Sequence, residues 1–285
     1  MYSLSVQNKY GTKMELTHNM LFYVTSVTGL TPAAANINTD ALAVGDGSLF
    51  NSSRVGNRNI VIMLKYRSGI NVEQARIELY KLFKTKQWVR VFYKTASRDV
   101  YIDGYVETFD GDLFEQGQLA QISIICPDPF FKDIDSTVTD FNAVVALLEF
   151  PVEFPEEGIP FSEISVYAEK SVVNGGDAES GVIIRCDFSG DASNPAFYNL
   201  TTGDGLSIDF DFLRGDALII NTNQGSKSIT LIREGVTVNL LNYLVQGSAW
   251  FLLTIGDNVF TFTADDDGRE NMHVVFTSTN QFEGV

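Results

Sequence analysis

DGSLFNSSRVGNRNIVI, residues 46–62, changes character in mid-run. Residues 46–57 are rich in Gly, Ser and Asn. From Ile60 the chain becomes the apolar, β-branched run IVIMLKY, residues 60–66. Such side chains fit a pleated, half-buried surface, so 60–66 reads as a strand of a β-domain. The stretch before it is too polar for a core and too patterned for a random linker. Together with YVTSVTGL at 23–30, it reads as a loop or arm that leaves the β-domain to touch something else. Two arginines, Arg54 and Arg58, stand four residues apart in it, with Asn57 between them and Asp46 at its start. Two readings apply to the arginines. They are solvated loop cations, or they pair with carboxylates of an adjacent subunit, with Asp46 as the partner in trans. The planar guanidinium suits the second role because it matches a carboxylate with two parallel hydrogen bonds.

Outward from this stretch, strand-like runs dominate. VRVFYK (89–94), VYIDGYVE (100–107) and AQISIIC (120–126) are β-branched and aromatic-rich, with a hairpin turn expected at Ser97–Asp99. One segment departs from the pattern. Asn71 is placed to cap a helix, with Gln74 at the third position. Val72, Ala75, Leu79, Leu82 and Phe83 then fall on one stripe of a 3.6-residue period. The spacing predicts an amphipathic helix over 72–85 that lies on a sheet.

Charge divides the 285-residue chain. Residues 1–131 hold 13 Lys+Arg and 12 Asp+Glu, a balance of +1; residues 132–285 hold 7 and 24, a balance of −17. The change falls near the Pro127 and Pro129 pair, which cannot extend a central strand. We therefore expect two domains, 1–131 and 132–285. The acidic half repels nucleic acid and anionic lipid. In the second half, LEFPVEFPEEGIPF (148–161) reads as edge strands and turns. Strand follows strand from there: 182–188, 206–212, 217–222, 228–231, 249–253, 258–264 and 272–277. Leu206, Ile208, Phe210 and Phe212 alternate with Ser207, Asp209 and Asp211. Turn signals at intervals of about 8–12 residues, with no helices between, indicate an antiparallel β-sandwich.

The residues for chemistry are sparse. His18 and His273 have no Cys, His or carboxylate partner at metal-ligand spacing. No Walker, G-x-S-x-G or H-E-x-x-H pattern occurs. Asp265-Asp266-Asp267-Gly268, with Glu270, lacks the spacing of a calcium loop and reads as a hairpin turn. Cys126 and Cys186 sit in strand-like contexts and are expected as reduced, buried thiols. Neither an enzyme, a cofactor nor a metal site is expected. Trp250, within AWFLL, reads as core, with a saccharide-stacking platform as the other reading. No run of about 18–20 apolar residues spans a membrane. The opening MYSLSVQNKYGTK lacks a secretory pattern, so synthesis in a cytoplasm is expected.

YVTSVTGL and SRVGNRNIVI (53–62) together resemble the N-terminal signature of the distal tail proteins of phages with long, non-contractile tails. GDALIINTNQGSKSITL (215–231), followed by GSAWFLLTIGDNVFTF (247–262), resembles that family's galectin-like C-terminal domain. LEFPVEFPEEG (148–158) and the terminal FEGV (282–285) add to the likeness. The resemblance implies a mainly β protein. Its N-terminal β-sandwich or split-barrel-like domain carries one helix, and a galectin-like sandwich follows. It implies a siphophage or prophage virion component made in the bacterial host cytoplasm. Six copies would form a baseplate hub ring at the tail tip, an arm of each embracing the next. The ring would join the tail tube protein to the tail-associated lysin, tail fibre or receptor-binding protein. The tape measure protein is a further partner, and DNA would pass through without specific binding. Arg54, Arg58, Asn57 and Asp46 are then subunit-interface candidates. The competing reading is a carbohydrate-binding adhesin that holds host cell-wall saccharide; a tail-tube subunit is a third, disfavoured by the second half of the chain.

Overall fold

A computed structural model describes residues 2–112, 118–146, 162–166 and 169–285. The structure is mainly β, with one α-helix among the described residues. It divides into two units. The first comprises Met1–Ile134 and Gln281–Val285; the second is Asp135–Asn280.

The first unit runs β1 (Ser3–Asn8), β2 (Lys13–Glu15), β3 (Phe22–Thr28), β4 (Ala35–Ala41), β5 (Ser48–Val55), β6 (Arg58–Tyr66), α1 (Val72–Leu82), β7 (Trp88–Lys94), β8 (Asp99–Gly111), β9 (Leu119–Cys126) and β10 (Phe131–Asp133). The main sheet has the order β2-β1-β7-β8-β9-β6-β3 and is antiparallel throughout. Its strands alternate as half-buried strands should. In β6 the residues Arg58, Ile60, Ile62, Leu64 and Tyr66 all point inward. Val89 and Val91 of β7, Val100, Ile102 and Val106 of β8, and Ile122 and Ile124 of β9 complete the same core.

The helix is where the periodicity places it, ending at Leu82 rather than residue 85. The Asn71 side chain accepts the backbone N–H of Gln74 at 3.1 Å, which satisfies one of the free donors of the first turn. Ala75, Leu79, Leu82 and Phe83 are buried and Val72 packs beside them, so the stripe is the core face.

The second unit continues with β11 (Thr137–Asp140), β12 (Asn142–Ala146), β13 (Ser162–Val166), β14 (Lys170–Asn174), β15 (Val182–Phe188), β16 (Ala192–Asn199), β17 (Asp204–Ser207), β18 (Asp211–Phe212), β19 (Ala217–Asn221), β20 (Ser228–Arg233), β21 (Val236–Asn239), β22 (Gly256–Asp265) and β23 (Met272–Ser278). One sheet has the order β11-β23-β15-β19-β20-β21. The other has the order β14-β22-β16-β17, with β18 also on β16. They share one core: Phe260 of β22 meets Phe276 of β23 edge-on at 4.8 Å between ring centres. Phe141 touches both Phe262 at 5.8 Å and Phe276 at 4.8 Å. This is the expected antiparallel sandwich. The block 148–161 lies outside the described residues.

Three expectations need correction. Residues 249–253 are not a regular strand, although Phe251 and Leu253 are buried. Their backbone pairs only at isolated points, Ala249 N–H to the Gly205 carbonyl and Leu253 in both directions with Ser180, and side chains add to them. Asn174 Nδ2 donates to the Leu253 carbonyl at 3.1 Å. Asn258 accepts from the Thr254 N–H at 2.9 Å and donates to the Thr254 carbonyl at 2.7 Å. Residues 206–212 split into β17 and β18, because Asp209 N–H donates to Tyr243 instead. The alternation survives in burial: Leu206, Ile208 and Phe212 are core, and Phe210 packs against it. Finally, the last residues do not belong with the sandwich. Strand β24 (Gln281–Phe282) pairs with β10, Phe282 opposite Phe131, and Phe282 is part of the first core. Chain order alone assigned them to residues 132–285.

Cys126 and Cys186 are free and buried, one in each unit. Burial pushes the Cys126 thiol up to about 12 and Cys186 well above its ordinary value. A thiol reagent at neutral pH should therefore label neither in the native protein and both in denaturant. In the sandwich core, Phe276→Ala should lower stability by about 3–5 kcal/mol, read from the denaturation midpoint.

Candidate functional site

The polar stretch before β6 is a β-hairpin. β4 pairs antiparallel with β5 from Ala35 opposite Val55 to Ala41 opposite Ser48, with a bulge at Asn38/Thr39. Every residue of both strands is exposed. Polar cross-strand contacts hold it: Asn38 Nδ2 to Ser52 Oγ at 2.9 Å, and Asn51 Nδ2 to Asp40 at 2.7 Å. The exposed set also includes Ile37, Leu42, Leu49, Phe50 (64%) and Val44 (92%). An isolated two-stranded hairpin is marginal in water. One that also leaves these side chains in solvent has an uncovered apolar face and no core of its own.

The root of the hairpin is built differently. Arg58 begins β6 and is 3% exposed. Its Nε donates to the Pro129 carbonyl and its Nη1 to those of Gly29 and Thr31, all at 2.6 Å; Nη2 donates to the Glu283 carbonyl at 2.5 Å. The guanidinium carbon lies 4.7 Å from the centre of the Phe131 ring. Burial pulls the Arg58 pKa below its ordinary value, against the opposing influence of Cys126 and Glu283. Each hydrogen bond to a charged donor is worth about 1.5–3 kcal/mol, so the fork offsets the desolvation of its own charge.

Gly29 and Thr31 precede the hairpin, and Arg58 follows it. One side chain therefore ties the entry of the arm to its exit. Gly29 has a φ of +87°, and a Cβ there would run into the Asn59 carbonyl. Glycine allows both the left-handed turn and this approach. The two sequence blocks that stood out, around Gly29 and around Arg58, are the two sides of this root.

The candidates thus separate. Arg54, Asn57 and Asp46 are exposed on or beside the arm. The Arg54 side chain makes no hydrogen bond or ion pair among the described residues, although its backbone stands in the ladder opposite Asn36. Arg58 is buried rather than a solvated loop cation, and four of its five N–H donors are taken by carbonyls of its own unit. Its inward register with Ile60, Ile62 and Leu64 was the signal for this. The main-chain acceptors leave no trace in sequence. Trp250 is half-buried and packs against the sandwich core, and Lys227 Nζ lies 5.6 Å from its ring centre. His273 Nε2 meets Asp140 at 3.1 Å on the surface. Among the described residues no group of three or more His, Cys, Asp or Glu is arranged to hold a metal ion.

The comparisons with known proteins follow this division. Residues 175–279, most of the sandwich, match the family model of the siphovirus-type tail component, C-terminal domain. The crystal structure of the phage SPP1 Dit protein, described as a paradigm of the hub adsorption apparatus in phages infecting Gram-positive bacteria, is similar over 98% of this chain and 99% of its own. The TM-score is 0.70 at 16% identity. Chains of the phage P2 baseplate in its activated conformation, with Ca and with Sr, are similar over the full length of both, with TM-scores of 0.54 at 10% identity. At these identities the structural likenesses concern the fold. No curated protein matches the chain by sequence. The family match and the whole-length fold together support the resemblance to siphophage distal tail proteins.

Arg58→Lys keeps the charge but loses the fork, and one ammonium cannot reach four carbonyls. It should destabilise the first unit by about 2–5 kcal/mol in urea denaturation. Arg54→Lys, on the exposed strand, should stay within about 0.5 kcal/mol of the parent.

Proposed function

We propose that this chain is a structural component of the tail tip of a siphophage or prophage, a hub subunit that assembles into a ring with copies of itself. The observation that carries the reading is the exposed hairpin on a rigid root. A free arm with Ile37, Val44, Leu49 and Phe50 in water calls for a surface to lie on. Fully covering one such side chain is worth about 1.5–3 kcal/mol. Repetition of one arm-to-neighbour contact is heterologous and closes into a ring when the rotation permits. Arg54, Asn57 and Asp46 are the polar contacts proposed for that interface, Arg54 with a carboxylate of the adjacent copy.

The role is mechanical. The ring joins the tail tube to the tail-associated lysin, fibre or receptor-binding proteins and leaves a channel for DNA. Six copies, those partners and a place in the virion follow the implication of the family resemblance. The acidic sandwich, if outside the ring, keeps the assembly soluble and away from the DNA path.

Negative-stain imaging and light scattering of the purified protein test the reading. The expected result is a six-fold ring with a central hole. Replacing residues 36–54 by a short Gly-Ser turn should leave monomers with unchanged circular dichroism in the sandwich. Arg54→Glu should weaken the ring at least tenfold in the concentration of half-assembly. A parent protein that stays monomeric at all concentrations, or rings that persist without the arm, would count against it.

A further inference from the structure

The chain leaves the first unit after Ile134, builds the second, and comes back at Gln281. The five returning residues do more than add an edge strand. Phe282 enters the first core opposite Phe131, and the Arg98 guanidinium lies 4.3 Å from the centre of its ring. Arg98 Nη1 also donates to the Gly284 carbonyl. Glu283 supplies the fourth carbonyl of the Arg58 fork. The Val285 N–H donates to the Leu30 carbonyl at 3.0 Å. A Cβ on Gly284 would stand 2.8 Å from Pro32 Cδ, so the strand passes against the entry of the arm with no room for a side chain. Residues 283–285 thus touch three points of the arm root: Leu30, Pro32 and Arg58.

We propose that residues 281–285 are a clasp that fixes the root of the arm, and that the arm is presented in its docking geometry only when they are in place. Without Glu283, one Arg58 Nη2 donor loses its acceptor in a buried site. Without Val285, the Leu30 carbonyl loses its partner. The order of synthesis gives this a consequence. The arm is made before the second unit, but its root is complete only after the whole of that unit has been made. A nascent or broken chain then carries a loose arm, and a loose arm pays the ordering entropy on docking. The clasp therefore couples self-association to completion of the second unit; this consequence rests on the proposed function above, whereas the clasp itself does not.

Hydrogen exchange on the full chain, compared with a chain stopped after Asn280 and with Gly284→Val, separates the two. Peptides covering 29–36 and 54–58 should exchange at least tenfold faster in both variants. β8, β9 and the sandwich should keep their parent rates. The concentration of half-assembly should rise at least tenfold in step. Unchanged exchange at the root would overturn the clasp. Uniform loss of protection across the first unit would also overturn it, since the tail would then be ordinary core. Faster root exchange with assembly at the parent concentration would overturn the coupling to arm presentation. A parent protein that never self-associates sinks the proposed function instead, and the exchange comparison still decides the clasp.

Discussion

The first unit depends on one buried cation. Arg58 carries a full charge into a site that is 3% exposed and meets there four carbonyl dipoles and an aromatic face. Such a charge is tolerated where several acceptors are already fixed around it. Here they come from three separate segments, at 29–31, 129 and 283. None of the three is a strand interior, so none has its geometry set by the sheet ladder. The guanidinium supplies it. Removing that fork leaves buried carbonyls without donors, a cost that falls on the root of the arm rather than on the sheet.

This arrangement explains which parts of the molecule were legible in its sequence. The inner strands were plain because their alternation is strict: Ile60, Ile62 and Leu64, or Val89 and Val91, report their own burial. The helix was plain because its stripe and its Asn71 cap agree. The hairpin at 35–55 was read as an arm but not as strands, because a hairpin with no buried face has no hydrophobic period to read. Two strands escaped for a related reason: β2 is three residues long, and β3, in the stretch read as part of the arm, is a bulged and largely solvated edge strand of the main sheet. The inner, largely buried β1 was missed as well. In the second unit, Ala249–Leu253 looked like strand and is not. Its composition reports burial correctly, but its backbone pairs only at single points, Ala249 to Gly205 and Leu253 with Ser180, rather than along a ladder.

The candidate site was half legible. Arg54 and Arg58 were paired by spacing, and on a single strand residues four apart would share a face. They lie on different strands, the exposed β5 and the core strand β6, with Gly56 and Asn57 between, so only Arg58 takes the inward register of Ile60, Ile62 and Leu64. Its acceptors were beyond sequence reading, because every residue has a carbonyl. The placement of the last five residues was also hidden. Chain order grouped them with the sandwich, whereas pairing with β10 returns them to the first unit.

A rigid root and an uncovered hairpin make sense together. Docking a flexible loop costs the ordering of each of its residues, roughly 1–2 kcal/mol apiece for the backbone. A hairpin already paired along its length, and tied at both ends by one side chain, has met much of that cost before it meets a partner. The exposed Val44, Leu49 and Phe50 can then contribute their burial to association rather than to folding the arm. The same logic sets the division of charge. An arm that associates through apolar contacts is best carried on a unit near neutrality, where copies do not repel. The excess of carboxylates in residues 132–285 sits in the part of the chain that the arm does not belong to, so in the proposed ring it can keep copies soluble without opposing the contact proposed to join them.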